Sequence, residues 1–438
     1  MSTPTEAMKP DIPPGEIMGH PKALWQLSNI EMWERFSYYG MRALLAVYVA
    51  TTFFSHMGDQ ANAEASLVYG GYTALVYATG IIGGYIADHV LGYQRSILLG
   101  AIIMAAGLFV LLIEDLTWFL VGLSLIVAGN GLFKPNISTM IGKLYAPGDV
   151  RRDSGFTIFY MGINLGAFIA PFITASWIAT QFGMKWGFFA AALGMVLSTL
   201  FLEVAKKSLG HVGLPPKGNE GWGRFFLVGL GALVMAIGVF FLLSASAILG
   251  WLLGGIMLAL IASFIISGIK SGDKVQLQRY IAMIILFVAN ACFWALFDQA
   301  GSSMNFFARE VVTPMFGSME SWQAGGFGIF QSLNPLYILL FAPLFAAFWP
   351  WLDKRNVNPS IPRKFALGLI QVALGFYVLV FAIGNFQNAA GLVPWIFLAL
   401  CYLLHTTGEL CLSPIGLSMV TKLAAEKETG MAMGGWFL

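Results

Sequence analysis

Charge is scarce in this chain. Asp, Glu, Lys and Arg make up 11% of its 438 residues, less than half the roughly 25% of ordinary soluble domains. That excludes a well-solvated globular surface of the usual kind. Cysteine is rarer still. Cys292, Cys401 and Cys411 all fall in apolar stretches, so they form no disulfide framework and no zinc spacing and are expected to be buried thiols. The five histidines contain no metal-spaced pair. No nucleophile stands beside a base in a recognised pattern, and there is no phosphate loop. Gly80, Gly83 and Gly84 are read instead as points of close helix approach. The first 20 residues lack an apolar core with a cleavage site, so no secretory signal is expected. These absences predict a protein that is not an enzyme, with no cofactor, no metal and no nucleic-acid partner.

What the chain has is apolar length. It is 58% hydrophobic, and windows of about 20 apolar residues, enough to cross a bilayer, recur along it. Twelve spans are predicted, at 24–55, 64–87, 94–113, 116–141, 155–179, 186–205, 223–244, 246–269, 279–308, 325–351, 364–385 and 393–420. With the N-terminus inside, alternating spans place nineteen of the 24 Lys and Arg residues on the inner side and two, Lys185 and Arg309, outside. The other three, Arg35, Arg42 and Lys134, fall within spans. The asymmetry predicts a cytoplasmic N-terminus under the positive-inside rule. The first six spans form one block. A basic Gly/Pro-rich stretch from Lys206 to Arg224 follows, then a tight pair of spans with no ionisable residue between Phe225 and Ile269. That pair is read as an insertion without chemistry of its own. The expected organisation is a tail at 1–22, a six-helix bundle at 23–205, linker and inserted helices at 206–278, and a second bundle at 279–438. Two six-helix bundles about a pseudo-twofold axis are the layout of the major facilitator superfamily, with its site between the halves at mid-membrane. After the span at 393–420 the tail ending at Leu438 reads as the first turns of another span, so the last two core helices are expected to be missing.

The chemistry lies in the few charges inside spans, where each costs several kcal/mol and so marks function. Glu31, Glu34 and Arg35 stand at i, i+3 and i+4 and share one helix face, which Tyr38 and Arg42 extend. Met32, Trp33, Phe36, Leu44 and Val47 make the opposite face apolar. Such a seam must line a wet cavity; the competing reading is a static ion cluster. Lys134, one residue before Pro135, needs an anion, unless it snorkels to the surface. His405 sits in the span at 393–420, where packing competes with titration near neutral pH.

The pattern Glu31-x-x-Glu34-Arg35-Phe36-Ser37-Tyr38-Tyr39-Gly40 resembles the signature of the proton-dependent oligopeptide transporter (POT) family, of the major facilitator superfamily. Four further stretches resemble its other motifs: Gly83 to Asp88 with Gly92 to Arg95, Gly131 to Asn136, Phe159 to Gly166, and Phe293 to Gln299. So do Gln331 to Pro335 and Gly408 to Pro414, and the set runs through the chain in order. The resemblance implies an all-α polytopic membrane protein with two inserted helices, as in bacterial members. It implies a proton-coupled symporter that imports di- and tripeptides by alternating access in the inner (plasma) membrane, as a monomer. Glu31, Glu34 and Arg35 would carry the proton coupling. Arg35, Tyr38, Tyr39, Arg42, Tyr77, Lys134, Asn164, Trp294, Asn334, Glu409 and Ser413 would line the substrate site. Arg42 with Asp298, and Lys134 with Glu409, would pair as gates. Cations at one end and Glu409 at the other suit a zwitterionic peptide, whose ends supply most of the orientation. The alternative is the same fold with nitrate or an organic anion as substrate. Glu409 would repel a small inorganic anion.

Overall fold

In the computed structural model, residues 15–146, 148–425 and 428–437 are described. Lys9 and Lys427, counted above among the inner-side cations, lie outside them, as does most of the predicted tail. A two-residue hairpin opens the described chain, β1 (Glu16–Ile17) against β2 (His20–Pro21). Its turn places both Met18 (φ 51°) and Gly19 (φ 76°) at positive φ, the pattern of a tight two-residue hairpin turn. Among the described residues, the regular elements after it are all helical, apart from a lone bridge between Val312 and Val393.

The first six predicted spans are all present. They are α1 (Lys22–Thr52), then α2 (Ala61–Ala78) continued by α3 (Gly80–Ile86), then α4 (Tyr93–Val110) and α5 (Leu116–Lys143). The fifth is α6 (Arg152–Pro171), a π-helical stretch at Phe172–Ala179 and the short α7 (Thr180–Phe182); the sixth is α8 (Met184–Leu209). The inserted pair is α9 (Gly223–Ser244) and α10 (Ser246–Lys270), joined through Ala245. The later spans are α11 (Lys274–Phe297) running through a 3-10 turn into α12 (Ser303–Glu310), then, after the short α13 (Met319–Ala324), α14 (Leu333–Asp353). α15 (Ile361–Asn385), α16 (Trp395–Leu423) and α17 (Thr429–Phe437) complete the order. Among the described residues, eleven segments are long and apolar enough to cross a membrane. α1, at 31 residues, is long enough but carries Lys22, Glu31, Glu34, Arg35 and Arg42.

Two compact units emerge. The first comprises Met1–Arg42, Tyr72–Thr174 and Phe182–Ser244. Small residues bring its helices together. A Cβ on Gly100 would lie 2.6 Å from the Gly129 carbonyl, and one on Gly107 would lie 2.7 Å from the Gly122 carbonyl, so α4 and α5 touch backbone to backbone. Pro135, inside α5, has no N–H to donate. Beside it, Asn136 Nδ2 donates to Leu132 O (2.7 Å) and to Gly83 O (3.1 Å), which ties α3 to α5. Gly83 meets α5 as expected. Gly80 and Gly84 do not: a Cβ on either would find nothing within 4 Å, so the close-approach reading fails for these two.

The hairpin is clasped to the loop after α5. His20 Nδ1 and the Tyr145 hydroxyl are hydrogen-bonded at 2.8 Å. Arg151 donates to Glu16 (2.9 Å) and to Gly19 O (3.1 Å), and pairs with Asp149 at 2.8 Å. The Arg151 hydrogen bonds hold the Asp149 carboxyl below its usual range, and burial pushes the Tyr145 phenol up to about 12.

The second unit comprises Ala43–Gly71, Ala175–Gln181 and Ala245–Leu438. Its core gathers Phe264, Tyr280, Phe287, Phe293, Phe297, Phe365 and Trp436. Glu428 accepts from Ser267 (2.6 Å) and from the Tyr280 hydroxyl, binding α10 and α11 to the start of α17. Asn305 Nδ2 donates to Ala43 O at 2.8 Å, and a Cβ on Gly325 would lie 2.5 Å from Ala175 O. The last part of α1 and the segment 175–181 therefore pack against the 298–332 region within this unit. Cys401 and Cys411 are buried as expected, but Cys292 is exposed.

Candidate functional site

The charged seam of α1 is built as the spacing predicts, and it is buried. Glu31 is 2%, Glu34 0% and Arg35 4% exposed. One turn of helix sets Arg35 Nε 3.0 Å from Glu31 Oε1, and the same Nε donates to Glu34 Oε2. Asn130 Nδ2, on α5, reaches Glu34 Oε1 at 3.5 Å. Glu31 Oε2 and Arg35 Nη2 are buried with no hydrogen-bond partner among the described residues. Groups of this kind are expensive unless function retains them. Two carboxylates share one guanidinium, so the trio has one negative charge in excess when both are ionised, and a single proton neutralises it. The Arg35 guanidinium also lies over Tyr38 (5.2 Å), which stacks on Tyr72. The seam is placed by α6: a Cβ on Gly166 would collide with Met32 O and lie 3.2 Å from the Arg35 Cβ.

Further along the first unit, Arg42 lies over Tyr39 at 5.9 Å. Lys134 lies over the Tyr77 ring at 4.5 Å, a cation–π contact that softens its burial. Asn164 is buried, and its Nδ2 donates to its own helix at Tyr160 O, 2.9 Å.

In the second unit, Asn334 Nδ2 donates to Glu409 Oε2 at 2.9 Å and to Thr406 Oγ1 at 3.1 Å. The Glu409 carboxylate is thus oriented by an amide on α14. Trp294 Nε1 donates to Asn290 Oδ1 at 3.1 Å, and Asn290 Nδ2 donates to Trp436 O at 3.3 Å. Asp298 follows the last residue of α11 and opens the 3-10 turn. Ser413 lies on α16, with its side chain outside the described part. His405 is 2% exposed and contacts Val372 O at 3.2 Å and Cys401 at 3.5 Å, which fits packing. Near the loop after α3, Asp88 accepts from the Tyr93 hydroxyl. Arg95 donates to Glu220 O at 2.6 Å and to Gly221 O at 3.1 Å.

Three partners escaped the sequence reading. Asn130 precedes Lys134 by four residues and shares its face, a spacing that could have marked it. Thr406 stands one turn before Glu409 and Asn290 one turn before Trp294, but an isolated amide or hydroxyl in an apolar helix reads as helix–helix glue. Among the described residues, no group of three or more His, Cys, Asp and Glu could hold a metal ion.

A family model described as "POT family" matches residues 94–438. The chain belongs to the POT family. It is 38% identical to an uncharacterised transporter, YclF, of Bacillus subtilis, covering 100% of this chain and 89% of that protein. It is 36% identical to the peptide transporter YePEPT of Yersinia enterocolitica, covering 96% and 85%. A dipeptide and tripeptide permease B of Yersinia enterocolitica is 33% identical over 97% of the chain and 85% of its own length. Among solved structures, a peptide transporter POT in complex with sulfate superposes with TM-score 0.78 at 37% identity, covering 100% and 89%. A POT family transporter in complex with a thioalcohol-conjugated peptide gives 0.79 at 31%, covering 97% and 89%. The POT assignment makes this an all-α multi-span transporter of the major facilitator type, not an enzyme.

Proposed function

We propose that this POT protein is a proton-coupled symporter that imports di- and tripeptides by alternating access. The observation that carries the reading is the buried Glu31–Arg35–Glu34 trio, which one proton converts from net negative to neutral. Relatives named as dipeptide and tripeptide permeases support the substrate class. Glu31, Glu34 and Arg35 carry the proton. Arg35, Arg42 and Lys134 attract the peptide carboxylate, Glu409 held by Asn334 attracts the ammonium, and Tyr38, Tyr39, Tyr77, Asn164, Trp294 and Ser413 line the site. Arg42 with Asp298, and Lys134 with Glu409, act as the gating pairs. The functional divisions follow the boundaries read from sequence, with bundles at 23–205 and 279–438 flanking the inserted helices. The protein acts as a monomer in the bacterial inner membrane, with its N-terminus and basic loops cytoplasmic. Glu409 would repel a small inorganic anion, which argues against nitrate.

One charge moved through about 100 mV is worth about 2.3 kcal/mol, or roughly fifty-fold accumulation. The test is uptake of a labelled dipeptide by proteoliposomes with and without an inward proton gradient. The reading requires accumulation above the external concentration with the gradient only. Uptake that merely equilibrates in both conditions overturns it.

A further inference from the structure

The inserted helix α9 carries a single charge, Arg224, at its start, and past it borders an apolar cavity. A cavity of about 440 Å³ lies between α9 and the first unit's α3 and α5, lined by Ile82, Ile86, Leu132, Val228, Gly231 and Met235 among others. That is within the range of about 300–1,000 Å³ typical of small-molecule sites. Its walls are apolar, and it is truly open at Gly231, where an added Cβ would find no atom within 4 Å. Val234 and Ile82 at its edge are 62% and 51% exposed, so on a membrane-spanning helix its mouth faces lipid.

The stripe of α9 that borders the cavity ends in a cation. Arg224, Val228, Gly231 and Met235 stand at i, i+4, i+7 and i+11 and share one face. Arg224 is exposed at the end of the helix and makes no ion pair among the described residues. Beside it, Arg95 lies over Trp222 at 4.6 Å, and Trp222 is 53% exposed. A tryptophan with basic side chains at a span end is the arrangement of a headgroup boundary. The exposed Glu220 carboxylate accepts from the Gly218 N–H at 3.2 Å and forms no ion pair with Arg95 or Arg224 among the described residues.

From this apolar slot leading to an exposed arginine, we infer a binding site for an anionic glycerophospholipid. One acyl chain fills the cavity between α9, α3 and α5, and the phosphate sits at Arg224. The leaflet is the one on the side of the basic loops, which rests on the orientation proposed above; the site itself does not depend on transport. A free phosphate would have no use for the cavity. A neutral lipid would have little use for Arg224.

The test is native mass spectrometry of the full chain, delipidated and then titrated with phosphatidylglycerol or phosphatidylcholine of identical chains. The wild type is expected to retain one phosphatidylglycerol in preference to phosphatidylcholine. Gly231→Phe, which fills the open volume, should lower retention at least tenfold. Leu230→Phe, which adds bulk on an exposed side of the same helix, should not, and Arg224→Gln should erase the preference between headgroups. Inorganic phosphate should not compete. Equal retention by Gly231→Phe and wild type would overturn the site, as would displacement by phosphate or indifference to headgroup in the wild type. Transport failure with selective lipid retention would count against the transport reading alone.

Discussion

The recognition of a peptide's amino terminus by Glu409 can be tested with a quantity worked from the structure. Glu409 Oε2 accepts from Asn334 Nδ2 at 2.9 Å, and Asn334 is itself fixed by Thr406 at 3.1 Å, so the carboxylate has a set orientation. A hydrogen bond to a charged group is worth about 1.5–3 kcal/mol, about ten- to a hundredfold in affinity. A dipeptide with a free amine should therefore compete that much better than its N-acetylated form. Glu409→Gln keeps an oxygen that can accept from Asn334 but removes the charge. Charge-assisted bonds are roughly twice as strong as neutral ones, so the ratio should fall to about its square root, roughly three- to tenfold. The assay is competition by free and blocked dipeptides against uptake of a labelled dipeptide, in wild type and Glu409→Gln. Equal potency of the two peptides on wild type, or an unchanged ratio in the mutant, would refute the assignment.

Three further outcomes are expected. Reversing the charge of Arg42 or Asp298 alone should impair uptake and the double swap should partly restore it, with a coupling of at least about 0.5 kcal/mol in a double-mutant cycle; additive effects would exclude the pair. Gly83→Ala drives a Cβ into the Gly131 carbonyl and should cost about 1–3 kcal/mol, whereas Gly84→Ala should be near neutral; thermal melts of the two in detergent check this, and equal melts contradict the helix contact. Because the Asp149 carboxyl is held low by Arg151, its contribution to the hairpin clasp should be full above the ordinary Asp range near 4 and lost as pH falls below that range, through the lowered folded-state value. The protection factors of amides 15–20, taken against the intrinsic exchange rate at each pH, should then fall on acidification, and protection that does not change with pH would show that the ion pair does not hold the hairpin.

Much of the architecture was legible because a bilayer imposes a length on apolar runs. The predicted spans at 223–244 and 246–269 coincide with α9 and α10 to within a residue. The seam of α1 was legible because helical phase fixes which charges meet. Interruptions were less so. The π-helical stretch at Phe172–Ala179 follows Pro171, and the break between α2 and α3 falls at Thr79, whose hydroxyl bonds Val127 O on α5 at 3.2 Å. Both depend on neighbours that the sequence does not reveal. For the same reason Cys292 was expected to be buried and Gly80 and Gly84 to be contacts: composition places a residue in a span but does not say whether that face meets protein or lipid. The inserted pair looked featureless because its cavity is formed jointly with α3 and α5.

The claim that the Glu31–Arg35–Glu34 trio carries the coupling is tested most directly by comparing two modes of transport in Glu34→Gln. The substituted amide would keep one acceptor for Arg35 or Asn130 but could no longer take up and release a proton. In proteoliposomes with an inward proton gradient, the mutant should lose concentrative dipeptide uptake, while counterflow exchange, which needs no net proton movement, continues. Accumulation equal to that of the wild type would contradict the account.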